Sequence, residues 1–246
     1  MQRILGCVFV AVVGITRQVR ADCPTGCPPK CPLPEEFQSE YVKDSFNLSS
    51  FWGVYYELAK HDNTQPCYDV FGKHLCVYCV RSVKTQNYDT KTYKDLFSIK
   101  VFEQTDAICD LEFNITERPG QFMGHWRSTS FWNPGLDNIR NTVVDVGHEA
   151  NGTYSWTLEF QCRDDSHGIN FAAVNFYHRN PLVDDSVFGE MKARLNASGL
   201  GWIMATSPGL QKIDQTPCVD GRASYPAVDA KPAWCGQNAA GQEFVV

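Results

Sequence analysis

The chain has 246 residues, of which 43% are hydrophobic, 20% charged and 13% aromatic, with a formal net charge of −6. That composition supplies a packed core and argues against a disordered chain. Acidity without a basic stripe argues against nucleic acid and against anionic membrane surfaces as partners.

Residues 1–21 read as a secretory signal. Arg3 supplies the positive start, and residues 4–15 are apolar but too few to span a bilayer. Asp22 is then the expected mature N-terminus, with an uncleaved anchor as the alternative. Losing Arg3, Arg17 and Arg20 takes the net charge from −6 to −9. No later stretch is apolar enough for stable membrane insertion as a helix. Ten of the 11 cysteines lie beyond residue 21: Cys23, Cys27, Cys31, Cys67, Cys76, Cys79, Cys109, Cys162, Cys218 and Cys235. An even number in an exported chain reads as a disulfide framework. Sequons begin at Asn47, Asn114, Asn151 and Asn196, whereas Asn180 precedes Pro181 and is excluded. Secretion to the extracellular space is expected, with an organelle lumen such as the thylakoid lumen as the alternative.

Residues 22–45 are rich in cysteine and proline. They predict an extended, disulfide-stapled arm, since prolines at this density oppose helix and central strand. Strand signals then recur at short spacing, over 50–60, 75–84, 93–104 and 109–116. In the last of these Leu111, Phe113 and Ile115 share one face, and Asp110, Glu112 and Asn114 the other. Pro119-Gly120 is a turn, and strands follow over 122–127 and 141–146. Asn151-Gly152 is a hairpin signal. After it Tyr154, Trp156, Leu158 and Phe160 alternate with Ser155, Thr157, Glu159 and Gln161, so this strand has one apolar and one polar face. The strand over 169–179 is apolar on both faces and needs a cover. A helix supplies it: Asp184, Asp185 and Ser186 offer N-cap chemistry, and Val187, Phe188, Met191 and Leu195 share one side. Residues 201–206 predict a short extra strand, and 219–246 a tail.

This order resembles the lipocalins. The family opens its barrel with Gly-x-Trp and Tyr-Glu-aliphatic-Ala, which stands here as Gly53-Val54-Tyr55-Tyr56-Glu57-Leu58-Ala59. It closes its last long strand with Arg-x-Pro, here Arg179-Asn180-Pro181. Tyr55 replaces the expected tryptophan, and Trp52 stands just before the glycine. The resemblance covers residues 46–218. It implies an all-β fold: an eight-stranded antiparallel up-and-down barrel with one C-terminal helix packed outside. It also implies a floor in which Arg179 lies over the Tyr55 ring and Gly53 lets the chain pass closely beneath. Within the lipocalins the chain is similar to the violaxanthin de-epoxidase lipocalin domain and to apolipoprotein-D-like proteins. Thr216-Pro217-Cys218 carries that likeness, which implies a cross-link from Cys218 to Cys76 or Cys67.

A barrel of this size has room for one small ligand. The expected inward wall is Phe97, Ile99, Val101, Leu111, Phe113, Ile115, Phe122, Trp126, Tyr154, Trp156, Leu158, Phe160, Phe171 and Tyr177. It suits a small hydrophobic molecule such as a retinoid, carotenoid, bilin, sterol or fatty acid. A barrel filled by its own side chains, in a defence or structural role, is the bland alternative. The enzymatic alternative is a xanthophyll de-epoxidase-like oxidoreductase using ascorbate, with Asp69, Asp106, Asp145 and Tyr177 as candidate acids. None of these sits in a distinctive motif, so binding without catalysis is expected, with no cofactor. Cys76-Val77-Tyr78-Cys79 is placed inside a strand, where its thiols point to opposite faces and make a poor redox pair. His74 reads as a strand-entry residue. His125, His148, His167 and His178 do not cluster in sequence, so no metal is expected.

Overall fold

The computed structural model describes residues 30–62, 67–70, 73–101, 105–126, 136–206 and 209–225. The expected signal segment, Cys23, Cys27, Cys235 and most of the tail lie outside the described residues. Three short helices come first: α1 (Pro34–Phe37), α2 (Glu40–Ser45) and α3 (Leu48–Phe51). The arm is therefore not extended over 34–45. Pro34 stands at a helix start, where a missing N–H costs nothing and the fixed φ suits the turn. Ser39 caps α2 by accepting from the Val42 amide, and Asn47 caps α3 through Ser49.

The strands follow: β1 (Gly53–Asp62), β2 (Tyr68–Val70), β3 (Lys73–Leu75), β4 (Tyr78–Asn87), β5 (Thr92–Val101), β6 (Thr105–Ile115), β7 (Gln121–Trp126), β8 (Leu136–His148), β9 (Tyr154–Asp165) and β10 (Gly168–His178). Next come α4 (Asp185–Ala197), α5 (Trp202–Ala205), β11 (Gln211–Lys212) and α6 (Thr216–Val219). The expected strand over 201–206 is thus helix α5. β2 and β3 pair only with each other. β1, β4, β5, β6, β7, β8, β9 and β10 pair in that order, all antiparallel, and β10 returns to pair with β1. The sheet closes into an eight-stranded barrel, so each of those strands has a neighbour on both sides over at least part of its length.

β1 and β4 stay together only from Gly53 to Tyr56. Farther along, β11 pairs with β1 at Ala59 and Lys60. Gln215 bridges the split: its Nε2 donates to Glu57 O and Val80 O, each at 2.8 Å. Cys218 is bonded to Cys79 beside this bridge. Cys76 precedes β4 and pairs with Cys67, so the implied link from Cys218 to Cys76 or Cys67 does not form. Cys31 is bonded to Cys162 on β9, which staples the arm as expected.

Two apolar clusters flank the sheet. One gathers Val42, Phe51, Tyr55, Val80, Tyr93, Phe97, Leu111, Phe113, Phe122 and Tyr177. The other gathers Phe37, Trp156, Leu158, Phe160, Val174, Phe176, Met191 and Leu195. The second lies outside the barrel, because it contains the buried residues of α4 and the ring of α1. Phe160 meets Phe37 edge-to-face at 5.2 Å, and Met191 and Leu195 are fully buried there. The arm is held to the same outer face by backbone and amide bonds. Ser39 N donates to Val144 O at 2.8 Å, and Gln38 Nε2 donates to Val143 O at 3.0 Å.

Non-reducing peptide mapping is expected to recover Cys31–Cys162, Cys67–Cys76 and Cys79–Cys218. Replacing Cys31 and Cys162 together by serine is expected to lower stability in urea by roughly 2–4 kcal/mol, since the link closes a very long loop.

Candidate functional site

The floor of the barrel is built by one arginine. Arg179 follows β10, and its guanidinium carbon lies 4.3 Å from the centre of the Tyr55 ring. Its Nε donates to Tyr154 O at 2.7 Å. Its Nη2 donates to Ser50 O, Trp52 O and the Tyr55 hydroxyl at 3.1, 2.8 and 3.0 Å. Carbonyls at the end of α3 and the start of β1 are thereby satisfied by one planar cation. Gly53 has φ +119°, and a Cβ there would stand 2.7 Å from Arg179 Nη1. The glycine thus makes room for the guanidinium. Tyr55 is fully buried, and burial pushes its hydroxyl well above the usual tyrosine range against the pull of Arg179. Trp52 is half-buried beside it, donating to Gln86 at 3.1 Å.

Above the plug sits a buried cation. Lys84 on β4 donates to Asp95 on β5 at 2.8 Å and lies 3.3 Å from Glu159 on β9. β4 and β9 are not neighbours in the sheet, so this contact crosses the lumen. Its ammonium stands 4.8, 5.3 and 5.8 Å from the ring centres of Tyr177, Phe51 and Tyr93. Burial works against its charge, but Asp95 and Glu159 outweigh that and hold its pKa above the usual lysine value. Ser82 donates to Asp95 at 2.6 Å and Thr157 to Glu159 at 2.9 Å. Asn141 on β8 donates to Glu159 at 2.9 Å and to the Tyr93 hydroxyl at 3.2 Å.

A second polar group follows along β1. Glu57 accepts from Asn175 Nδ2 on β10. Burial drives the Glu57 carboxyl up to about 7, while Lys60 and the Asn175 bond pull it down. Its folded value exceeds the ordinary 4.5, so its cost to stability appears as pH rises through 4.5 and is complete above about 7. The Lys60 ammonium is held below the usual lysine value, chiefly by burial, against Asp62 and Glu57. The lumen therefore has two sides. β1, β4, β8, β9 and β10, with Asp95 from β5, contribute the charged and amide groups. β5, β6 and β7 contribute Phe97, Ile99, Leu111, Phe113 and Phe122.

Solved structures share this architecture. Apocrustacyanin C1 matches over 81% of this chain and 91% of its own, with 13% identity and a TM-score of 0.53. Apocrustacyanin C2 and lobster apocrustacyanin A1 each match over 76% of this chain, at 13% identity and a TM-score of 0.52. They are covered over 89% and 88% of their own chains. Crustacyanins are lipocalins. The fold is that of the lipocalins. No protein-family model matches the sequence, and no curated protein does.

Within the lipocalin barrel the expected wall residues divide three ways. Phe97, Phe113, Phe122, Tyr177 and Tyr55 belong to the inner cluster, with Ile99 and Ile115 packed against it. Tyr154 joins it at the floor, where its hydroxyl accepts from Asn47 N at 2.6 Å. Phe171 packs with Ile139 and Ala173. Trp156, Leu158 and Phe160 are corrected: they face α1 and α4 outside the barrel. The polar face of β9 turns inward to satisfy Lys84. Asp145, a candidate acid, is also outside, 3.6 Å from Arg194 on α4. The side chains of Val101, Trp126, Asp69, Asp106, His74 and His125 lie outside the described residues. Among those described, no three His, Cys, Asp or Glu residues converge as a metal site, and no helix is long and apolar enough to cross a membrane.

The sequence reading missed Glu57, Lys60, Lys84, Asp95, Asn141 and Glu159 as lumen groups. A usable signal was present: Lys84 and Asp95 each sit at the parity of inward residues, two before or after Ser82 and Phe97.

Tyr55→Ala is expected to cost roughly 3–5 kcal/mol in urea unfolding, as for a buried aromatic, and Tyr55→Phe only about 0.5–1.5 kcal/mol. Lys84→Met leaves two buried carboxylates without their cation and is expected to cost roughly 3–5 kcal/mol. Adding Asp95→Asn and Glu159→Gln to Lys84→Met is expected to recover most of that loss in the same assay.

Proposed function

We propose that this protein carries one small, largely apolar molecule in the lumen of its barrel, from among retinoids, carotenoids, bilins, sterols and fatty acids. The observation that carries the reading is the lumen itself. It is closed at one end by Tyr55 under Arg179 and has an apolar side formed by Phe97, Ile99 and Leu111. A half-apolar wall with a few placed polar groups is the common form of a small-molecule site. The structurally similar apocrustacyanins, named as apoproteins, support the same reading. Its residues are Phe97, Ile99, Phe171 and Tyr177 above a floor of Phe113 and Phe122, with Trp156 and Phe160 removed.

Secretion through residues 1–21 belongs to the same proposal, and the three disulfides among the described residues support an oxidising destination. Asn114, Asn151 and Asn196 are exposed, as glycan acceptors must be.

Quenching of intrinsic fluorescence by retinol, a bilin and a fluorescent fatty acid tests the carrier reading. Saturable binding of at least one, weakened tenfold or more by Ile99→Glu, is expected. Absence of saturable binding to all three overturns it.

A further inference from the structure

A row of inward groups crosses four consecutive strands: Asn141 on β8, Glu159 on β9, Asn175 on β10 and Glu57 on β1. Asn175 and Glu159 are direct partners in the ladder, and Glu57 lies opposite Tyr177, one inward step from Asn175. All four are at least nine-tenths buried. Their donors are few. Both Glu159 oxygens are engaged, by Thr157, Asn141 and Lys84. Both Asp95 oxygens are engaged as well, by Ser82 and Lys84. Three acceptors in the row find no donor among the described residues: Glu57 Oε2, Asn175 Oδ1 and Asn141 Oδ1.

A buried acceptor without a donor loses the hydrogen bonds it made with water, at a greater cost when it is charged, so the row is suited to a partner that donates. The charge balance specifies it further. Among the described residues the buried charged groups of this network are the acids Glu57, Asp62, Asp95 and Glu159 and the lysines Lys60 and Lys84. The excess is acidic. A ligand carboxylate would meet repulsion and would offer no donor. A neutral hydroxyl offers one donor and no charge. An ammonium offers three donors and the missing positive charge.

We propose that the ligand enters with a protonated primary amine as its head group, which donates to Glu57 Oε2 and Asn175 Oδ1 while its apolar body lies along Phe97 and Ile99. This inference rests on the carrier reading and narrows it to cationic amphiphiles, placing fatty acids last among the candidates.

Isothermal titration calorimetry at pH 7.5 with dodecylammonium, dodecanol and dodecanoate, each kept below micelle formation, separates the two. Dodecylammonium is expected to bind at least tenfold more tightly than dodecanol, and dodecanoate the most weakly. Glu57→Gln keeps the acceptor for Asn175 and removes the charge. It is expected to weaken dodecylammonium tenfold or more and to leave dodecanol within threefold. Asn175→Ser reads out the same contact without altering charge and is expected to weaken dodecylammonium several-fold. Dodecanoate binding as tightly as the amine overturns the head-group assignment and leaves the carrier reading standing, as does an amine affinity unmoved by both variants. Failure of all three probes to bind overturns the head-group assignment, and the carrier reading falls with it only if retinol and the bilin also fail to bind.

Discussion

Lys84 is the constraint on which the rest of the barrel depends. An ammonium taken out of water is tolerable only with carboxylates in contact and their remaining lone pairs satisfied. Asp95 comes from the adjacent strand, but Glu159 must come from the far side of the lumen. That requirement fixes the parity of β9. With Glu159, Thr157 and Gln161 turned inward, Trp156, Leu158 and Phe160 must face outward. Three large apolar side chains on the outside of a barrel need cover, and α4, α1 and the stapled arm supply it. The external helix is thus a consequence of the charge inside as much as of the apolar β10.

The order of strands, the closing motifs and the covering helix were legible in the sequence. Gly53, Tyr55 and Arg179 stand where the resemblance implies, and the physical reason is visible: only glycine leaves space for the guanidinium. Period-2 alternation also located β9. It could not tell which face looks inward, because alternation reports two unlike faces and nothing about which one the sheet encloses. The ordinary assumption, apolar inside, fails when both faces are covered. The arm misled for a similar reason: proline density opposes a long helix but suits the first turn of a short one, as at Pro34. The partner of Cys218 was not legible, since Cys67, Cys76 and Cys79 lie close in sequence and only the split between β1 and β4 brings Cys79 to α6.

The two-sided lumen changes what the barrel can hold. A uniformly greasy wall would suit any apolar molecule of the right length. Here the aromatic floor of Phe51, Tyr93, Phe113 and Phe122 is already packed against itself; Tyr93 and Phe113 stack at 4.6 Å and Phe51 and Phe122 at 5.4 Å. The floor and Lys84 use the lower lumen for stability. Recognition is left to the groups that follow Tyr55 along β1 and to their apolar counterparts on β5 and β6.

Whether Lys84 is a paired cation inside the barrel can be read from nitrogen-15 NMR of the lysine side chains. One ammonium is expected to exchange its protons slowly with water and to stay protonated well past the pH at which the exposed lysines titrate. That signal should be lost in Lys84→Met. If every lysine ammonium exchanges rapidly and titrates with the exposed group, Lys84 stands in solvent and the other face of β9 looks inward.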